Sequence, residues 1–333
     1  MNTPINAPFN KRKAIVATGV DSLGTFVKRD FKPLTPVLGW LIHEDSYGLM
    51  PGHRGTGKTW LSLTLAYAVA AGKKMEPWGD GAGVKTVYLD GEMSNSMLQK
   101  RLKMIMRRDP NEINQSLAAQ NLQIICRNSA ENIEVLKDLD TYEGQTLISE
   151  RLPLDTKLVI IDNLAAWCPS LLKGKEMNDS LYKWIKQLQK RGIAVLVVHH
   201  TNKAGGSYGS IIKEFAADYV LSLHPHKDSR KGKLLFTISH DKLRNAEPPD
   251  ESDCLFSFTV EGEDDEARAI VKHLPSEITD DPRIAEVASL KAEGMSQKDI
   301  AVQLGISEAT VCRLAKNIRE TTGEAIKEAT DDV

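Results

Sequence analysis

Paired cysteines are missing from this 333-residue chain: Cys126, Cys168, Cys254 and Cys312 lie far apart, with no C-x-x-C spacing. That excludes a cysteine zinc site and a disulfide framework, and it fits a reducing compartment. A strong field of one sign is missing too. The 43 Lys and Arg against 45 Asp and Glu leave −2, so any nucleic-acid contact has to be local. No stretch approaches the roughly 18 apolar residues of a membrane span, and Lys11-Arg12-Lys13 is not followed by an apolar segment. The expectation is a soluble, cytoplasmic protein with no membrane partner. What is present is a 41% hydrophobic composition, enough for a large core and a second, smaller domain.

One stretch organises the rest. Gly52-His53-Arg54-Gly55-Thr56-Gly57-Lys58-Thr59 fits G-x-x-x-x-G-K-[ST], with an apolar run before it (Tyr47 to Met50) and a long apolar helix pattern after it (Trp60 to Ala71). The glycines let backbone N–H groups close around phosphates, and the start of the following helix adds its positive dipole end. Lys58 is the candidate counter-charge to the β- and γ-phosphates, and the Thr59 hydroxyl is a candidate Mg²⁺ ligand. Residues Gly52 to Thr59, with Trp60 beside them, are the candidate contacts to ATP.

Further along, Val84 to Asp90 reads as a strand running into Gly91-Glu92-Met93, which offers two acids, Asp90 and Glu92. Lys157 to Asn163 is a continuous apolar run ending in Asp162, the form of a buried parallel strand whose carboxyl end lies where ligands bind. Asp162 is thereby the candidate partner of Thr59 in holding Mg²⁺. Ile193 to Val198 is the next buried strand, ending in His199-His200, of which only one can face a ligand because neighbours alternate. Three more strands follow (218–223, 233–239 and 254–260), so the fold class is α/β: a mostly parallel sheet flanked by helices, with an antiparallel extension.

Residues 1–30 read as an N-terminal arm and 31–260 as the nucleotide domain. The acids Glu261, Glu263 to Glu266, Asp280 and Asp281 suggest a linker over 261–281. From 282 to 333 three helical pieces, with Ser296 and Ser307 as caps, read as a helix-turn-helix domain, whose Thr310, Arg313 and Lys316 would face duplex DNA.

These motifs resemble the RecA-like ring ATPases, specifically the hexameric replicative helicases, and among them the RepA-type helicases of plasmids and phages. The resemblance covers roughly residues 30 to 260 and implies a ring, most often a hexamer, working on single-stranded DNA. It assigns the water-activating acid to Glu92, the Walker-B acid to Asp162, the γ-phosphate sensor to His200, with His199 as the other candidate, and a pair reaching the neighbouring subunit's phosphates to Lys242 and Arg244. It also aims Lys173, Lys175, Lys203 and Tyr208, on two loops, at the channel strand. Relatives often carry an Arg in the 205–210 loop where this chain has Tyr208. Two rival functions remain at this level: a recombination mediator or helicase loader, and an ATP-regulated DNA-binding regulator.

Overall fold

The computed structural model describes residues 20–31, 33–170, 179–201, 216–245, 253–274, 287, 289–291, 295–304 and 311. It divides into two units, Met1–Thr35 and Pro36–Val333. In the first, the single turn α1 (Leu23–Phe26) is capped by Ser22, whose hydroxyl accepts from Thr25 N–H. Arg29 there pairs with Asp21 and lies over the Phe31 ring.

The second unit opens with a two-stranded ribbon, β1 (Pro36–Leu38) and β2 (Ile42–His43). The strand β3 (Tyr47–Gly52) follows, buried at every position, and leads through the loop into α2 (Lys58–Ala71). All of α2 except Thr59 and Trp60 is buried, so the apolar run folds as a helix covered on nearly every side, and Gly72 ends it in the left-handed conformation. A second ribbon, β4 (Lys74–Met75) with β5 (Gly79–Asp80), precedes β6 (Thr86–Asp90).

Three helices and two strands come next: α3 (Asn95–Arg107), α4 (Glu112–Asn121), β7 (Leu122–Cys126), α5 (Tyr142–Arg151) and β8 (Leu158–Asp162). Ser94, Asn111 and Thr141 cap the three helices through side-chain oxygens. The short α6 (Leu164–Trp167) and then α7 (Asp179–Lys190) lead to β9 (Ala194–His200). The remaining strands are β10 (Tyr219–Pro225), β11 (Lys233–Leu243), β12 (Asp253–Glu261) and β13 (Arg268–Leu274).

Nine strands form one sheet in the order β13-β12-β11-β10-β3-β9-β8-β6-β7. The six from β10 to β7 are parallel and the β11, β12 and β13 extension is antiparallel, as expected of the fold class. One core lies on the α2 side, with Trp78, Phe236 and Phe256 stacked within it, and the other packs α5, α6 and α7 on the opposite face. The strand β3 is central, so the loop after it opens at the carboxyl edge of the parallel strands, where ligands bind in such sheets.

The stretch 261–281, expected to be a linker, instead contains the sheet's edge strand. Acids Asp264 to Glu266 form a 3₁₀ turn, and Arg268–Leu274 then returns antiparallel to β12 in continuous register from Glu261↔Arg268 to Leu255↔Leu274. Ala269 and Val271 are buried, and that burial outweighs the charge of the turn. Further on, α8 (Gln297–Leu304) is capped by Ser296, which accepts from Asp299 N–H at 3.2 Å and donates to its carboxylate at 2.6 Å. Val287, Leu290, Ile300, Ala301 and Val311 pack as a separate small core. No described helix is long and apolar enough to cross a membrane.

Candidate functional site

At the carboxyl end of β3 the loop turns through Gly55 and Gly57, both at positive φ (79° and 89°). At Gly57 space makes the same demand, since an added Cβ would stand 3.1 Å from the Leu234 side chain and 3.3 Å from Phe236. The Thr56 hydroxyl donates to the His53 carbonyl at 2.8 Å and holds the turn closed. Gly57 is also the N-cap of α2 and offers no side-chain acceptor, so the first-turn N–H groups of this long helix remain available to an anion.

Lys58 is 4% exposed, and its ammonium donates to the carbonyls of Gly52 (2.7 Å) and His53 (2.6 Å). Burial pulls its pKa down to about 8; Asp162 and Glu92 push it back up and Arg54 lowers it further. Asp162, at the end of β8, is buried and accepts from Tyr88 Oη at 2.6 Å and Ser62 Oγ at 3.4 Å. It also takes a hydrogen bond from Thr59, and burial raises its pKa against these donors. Thr59 and Asp162 thus stand side by side, a hydroxyl against a carboxylate. An oxygen pair of this kind fits Mg²⁺, a hard cation that takes one or two protein oxygens and fills the rest of its shell with water and phosphate.

The two acids after β6 have different surroundings. Asp90 is turned inward, 1% exposed, and its Oδ1 accepts from the N–H groups of Met93 (2.7 Å) and Glu92 (3.1 Å). Burial raises its pKa to about 6, and the carboxylate organises the turn that follows the strand. Glu92, on the outside of that turn, has a 57% exposed side chain and lines the same cleft as Lys58 and Thr59.

One residue the sequence reading passed over connects the acid to the histidine. Asn163 follows Asp162 directly and N-caps α6: its Oδ1 accepts from Ala166 N–H at 3.1 Å. That bond fixes the amide orientation, so Nδ2 points the other way and donates to Glu92 Oε1 at 2.6 Å and to His200 Nε2 at 2.9 Å. His200 therefore presents a lone pair at Nε2. Burial, with Lys58 second, lowers its pKa and keeps the ring neutral, in agreement with an accepting Nε2. His199 is 4% exposed and does not line the cleft, leaving His200 as the cleft histidine.

The cleft holds about 650 Å³ and is lined by Arg54, Gly55, Gly57, Lys58, Thr59, Trp60, Glu92 and His200, joined by Arg101, Leu234 and Phe258. Trp60 stacks on Phe258 at 4.6 Å, and the Arg101 guanidinium lies over the Trp60 ring at 4.8 Å. Arg101 and Phe258 come from distant segments, so no local pattern announced them. Lys242 and Arg244 stand elsewhere. Tyr219, at the start of β10, pairs with Leu243 and lies beside Gly48 of β3, so both cations sit at the amino edge of the parallel strands, opposite the loop. Arg244 lies 3.6 Å from Asp218 there. Lys173, Lys175, Lys203, Tyr208, Thr310, Arg313 and Lys316 fall outside the described residues.

Comparison with known proteins bears on this arrangement. No curated protein matches the chain. Two solved structures are similar at low identity: a KaiC-like protein of the archaeon Pyrococcus horikoshii OT3 (18% identical, TM-score 0.46, covering 73% of this chain and 100% of that one), and the flagellar accessory protein FlaH of Methanocaldococcus jannaschii (16%, 0.46, 69% and 90%). A homeodomain-like domain matches residues 280–325, over the small core around Ile300 and Val311. The AAA domain family matches residues 21–206, which hold the loop, both strand-end acids, Asn163 and His200, and the chain belongs to that family.

Proposed function

We propose that this chain is a RecA-like motor that hydrolyses ATP, most concretely a ring-forming DNA helicase serving replication of a plasmid, phage or other mobile element. The observation that carries the hydrolytic part is the convergence of Lys58 and Thr59 at the start of α2, Asp162 at the end of β8 and Glu92 after β6, three separate segments, around one cleft. Loop N–H groups and Lys58 hold the phosphates, and the α2 N-terminus adds its dipole. Thr59 and Asp162 are the residues that would hold Mg²⁺, whose charge would offset that developing on the phosphoryl oxygens. Glu92 orients the attacking water and takes its proton, with Asn163 setting the position of its carboxylate.

Lys242 and Arg244 are assigned to the neighbouring subunit's phosphates in a hexameric ring, a role consistent with their distance from their own loop. Lys173, Lys175, Lys203 and Tyr208 are assigned to the single strand, by backbone charge and base stacking. The ATPase body is taken to run through β13, with the helix-turn-helix from 282 as a separate contact to duplex DNA.

The homeodomain-like match favours one second reading, a regulator in which ATP sets the oligomeric state and the C-terminal domain selects the site. The test is strand displacement on a forked duplex with ATP, run beside the Glu92→Gln protein. Unwinding by the parent and none by the variant supports the helicase. Rapid hydrolysis without unwinding, together with sequence-specific duplex binding lost on truncation at 282, transfers the assignment to the regulator.

A further inference from the structure

A second cavity lies on the same side of the sheet as the nucleotide cleft, at the other end of α2. It holds about 200 Å³ and is lined by Thr64, Tyr67, Ala68, Lys73, Met75, Ile105, Arg108, Phe256 and Val271 among others. The α2 residues that line it, Thr64, Tyr67 and Ala68, stand about 9 to 15 Å along the helix from Lys58 at roughly 1.5 Å per residue. Its floor is apolar, from Ala68, Met75, Ile105 and Phe256.

Its wall carries four cations, Lys73, Lys74, Arg108 and Lys272, against Glu76. Arg108, the C-cap of α3, is partly buried, and its Nη1 donates to the Val271 carbonyl at 2.7 Å. Burial lowers its pKa, with Asp109 opposing. Asp109, however, is engaged by Lys73 at 3.0 Å, by Tyr67 Oη at 3.3 Å and by Asn114 at 3.3 Å. Lys74 at the rim is paired with Glu76 at 2.5 Å. Lys73 and Lys74 are thus held by carboxylates, whereas Arg108 shares Asp109 with Lys73 and turns one Nη1 donor of its five N–H groups to a neutral carbonyl; Lys272 adds a further positive charge to the wall. A partly buried guanidinium whose neighbouring carboxylate is already shared gains from an anion that reaches it, and its planar fork suits carboxylate or phosphate.

We propose that this cavity binds a small anion with an apolar body, the anionic head against Arg108 and the body on Met75, Ile105 and Phe256. The site is distinct from the nucleotide cleft and does not depend on the ATPase reading.

The probe is benzoate, with benzyl alcohol as its neutral counterpart, titrated calorimetrically into the full chain. A ligand this small is expected to bind with a dissociation constant on the order of millimolar. Benzoate should bind at least about tenfold more tightly than the alcohol, and saturating ATP should not displace it. Arg108→Gln keeps a donor for the Val271 carbonyl and removes the charge, so benzoate should fall to the affinity of the alcohol. Arg108→Lys, which keeps the charge without the fork, serves if the glutamine variant does not fold, and it should weaken benzoate several-fold. Equal affinities for the two probes, unchanged benzoate affinity in whichever variant folds, or displacement by ATP would each overturn the proposal.

Discussion

Nucleotide binding should take up a proton, and the amount follows from the surroundings of Lys58. In the free protein burial holds its pKa at about 8. Phosphates placed against it return it at least to the ordinary lysine value of about 10.4. The sign is then fixed: binding is strongest where the free lysine is already charged, and weakens as pH rises through the free-state value. At pH 8 about half of the free lysines are neutral, so each binding event takes up about 0.5 proton, rising to about 0.9 at pH 9. Affinity should fall about tenfold between pH 7 and 9, roughly 1.4 kcal/mol. ATP itself is fully deprotonated over most of this range, and the lowered His200 titrates below it. Calorimetry in buffers of different ionisation enthalpy reads the uptake directly. Lys58→Arg is the control, because a guanidinium stays protonated and its uptake should vanish. Uptake near zero at pH 8 to 9 in the parent, or equal uptake in the arginine variant, would refute a buried, titrating Lys58 facing the phosphates.

Other expectations concern the acids and the assembly. Asn163→Asp replaces a donor with a second carboxyl 2.6 Å from Glu92, so the pair should share a proton; turnover should fall at least about tenfold, the acid limb of its pH profile should move upward, and the KM for ATP should stay within about twofold. An unmoved pH profile would remove Asn163 from the site. Glu92→Gln should bind ATP normally and lose about 10² to 10⁴ in turnover, whereas Asp90→Asn should lower the melting temperature, because its Oδ1 holds the Glu92-Met93 turn. The reverse outcome would exchange the two assignments. Arg244→Ala and Lys58→Ala proteins, each nearly inactive, should recover hydrolysis on mixing; mixed oligomers without recovery would end the role in trans.

What could be read from the sequence was what is local along it. The loop, the apolar α2 and the strands ending in Asp90, Asp162 and His200 declare themselves by spacing and periodicity, and the fold class follows from their alternation. Between Asp90, the last residue of β6, and Glu92 two places on, the sequence pointed to Glu92; what it did not show is that the backbone of the turn claims Asp90. Asn163 was in plain sight after Asp162, but its amide acquires meaning only when β6, β8 and β9 bring Glu92 and His200 to either side of it. β13 was masked by the acids ahead of it, although Ala269-Ile270-Val271 carries a short apolar run. A run that brief gains its force from pairing with β12, a partner no window of sequence contains.

The burial of α2 on nearly every side has a consequence for how the protein breathes. A helix enclosed between the sheet and its neighbours, with only Thr59 and Trp60 less than fully covered, has no solvent face from which to fray in its middle turns. Amide hydrogens from Leu63 to Ala70 should exchange only through opening of the whole domain, far more slowly than those of α1, which has no buried residue. The phosphate cradle is the first turn of that same helix. It therefore belongs to the most cooperative part of the molecule, and the capacity to hold a nucleotide should persist until the domain melts and disappear with it at one temperature.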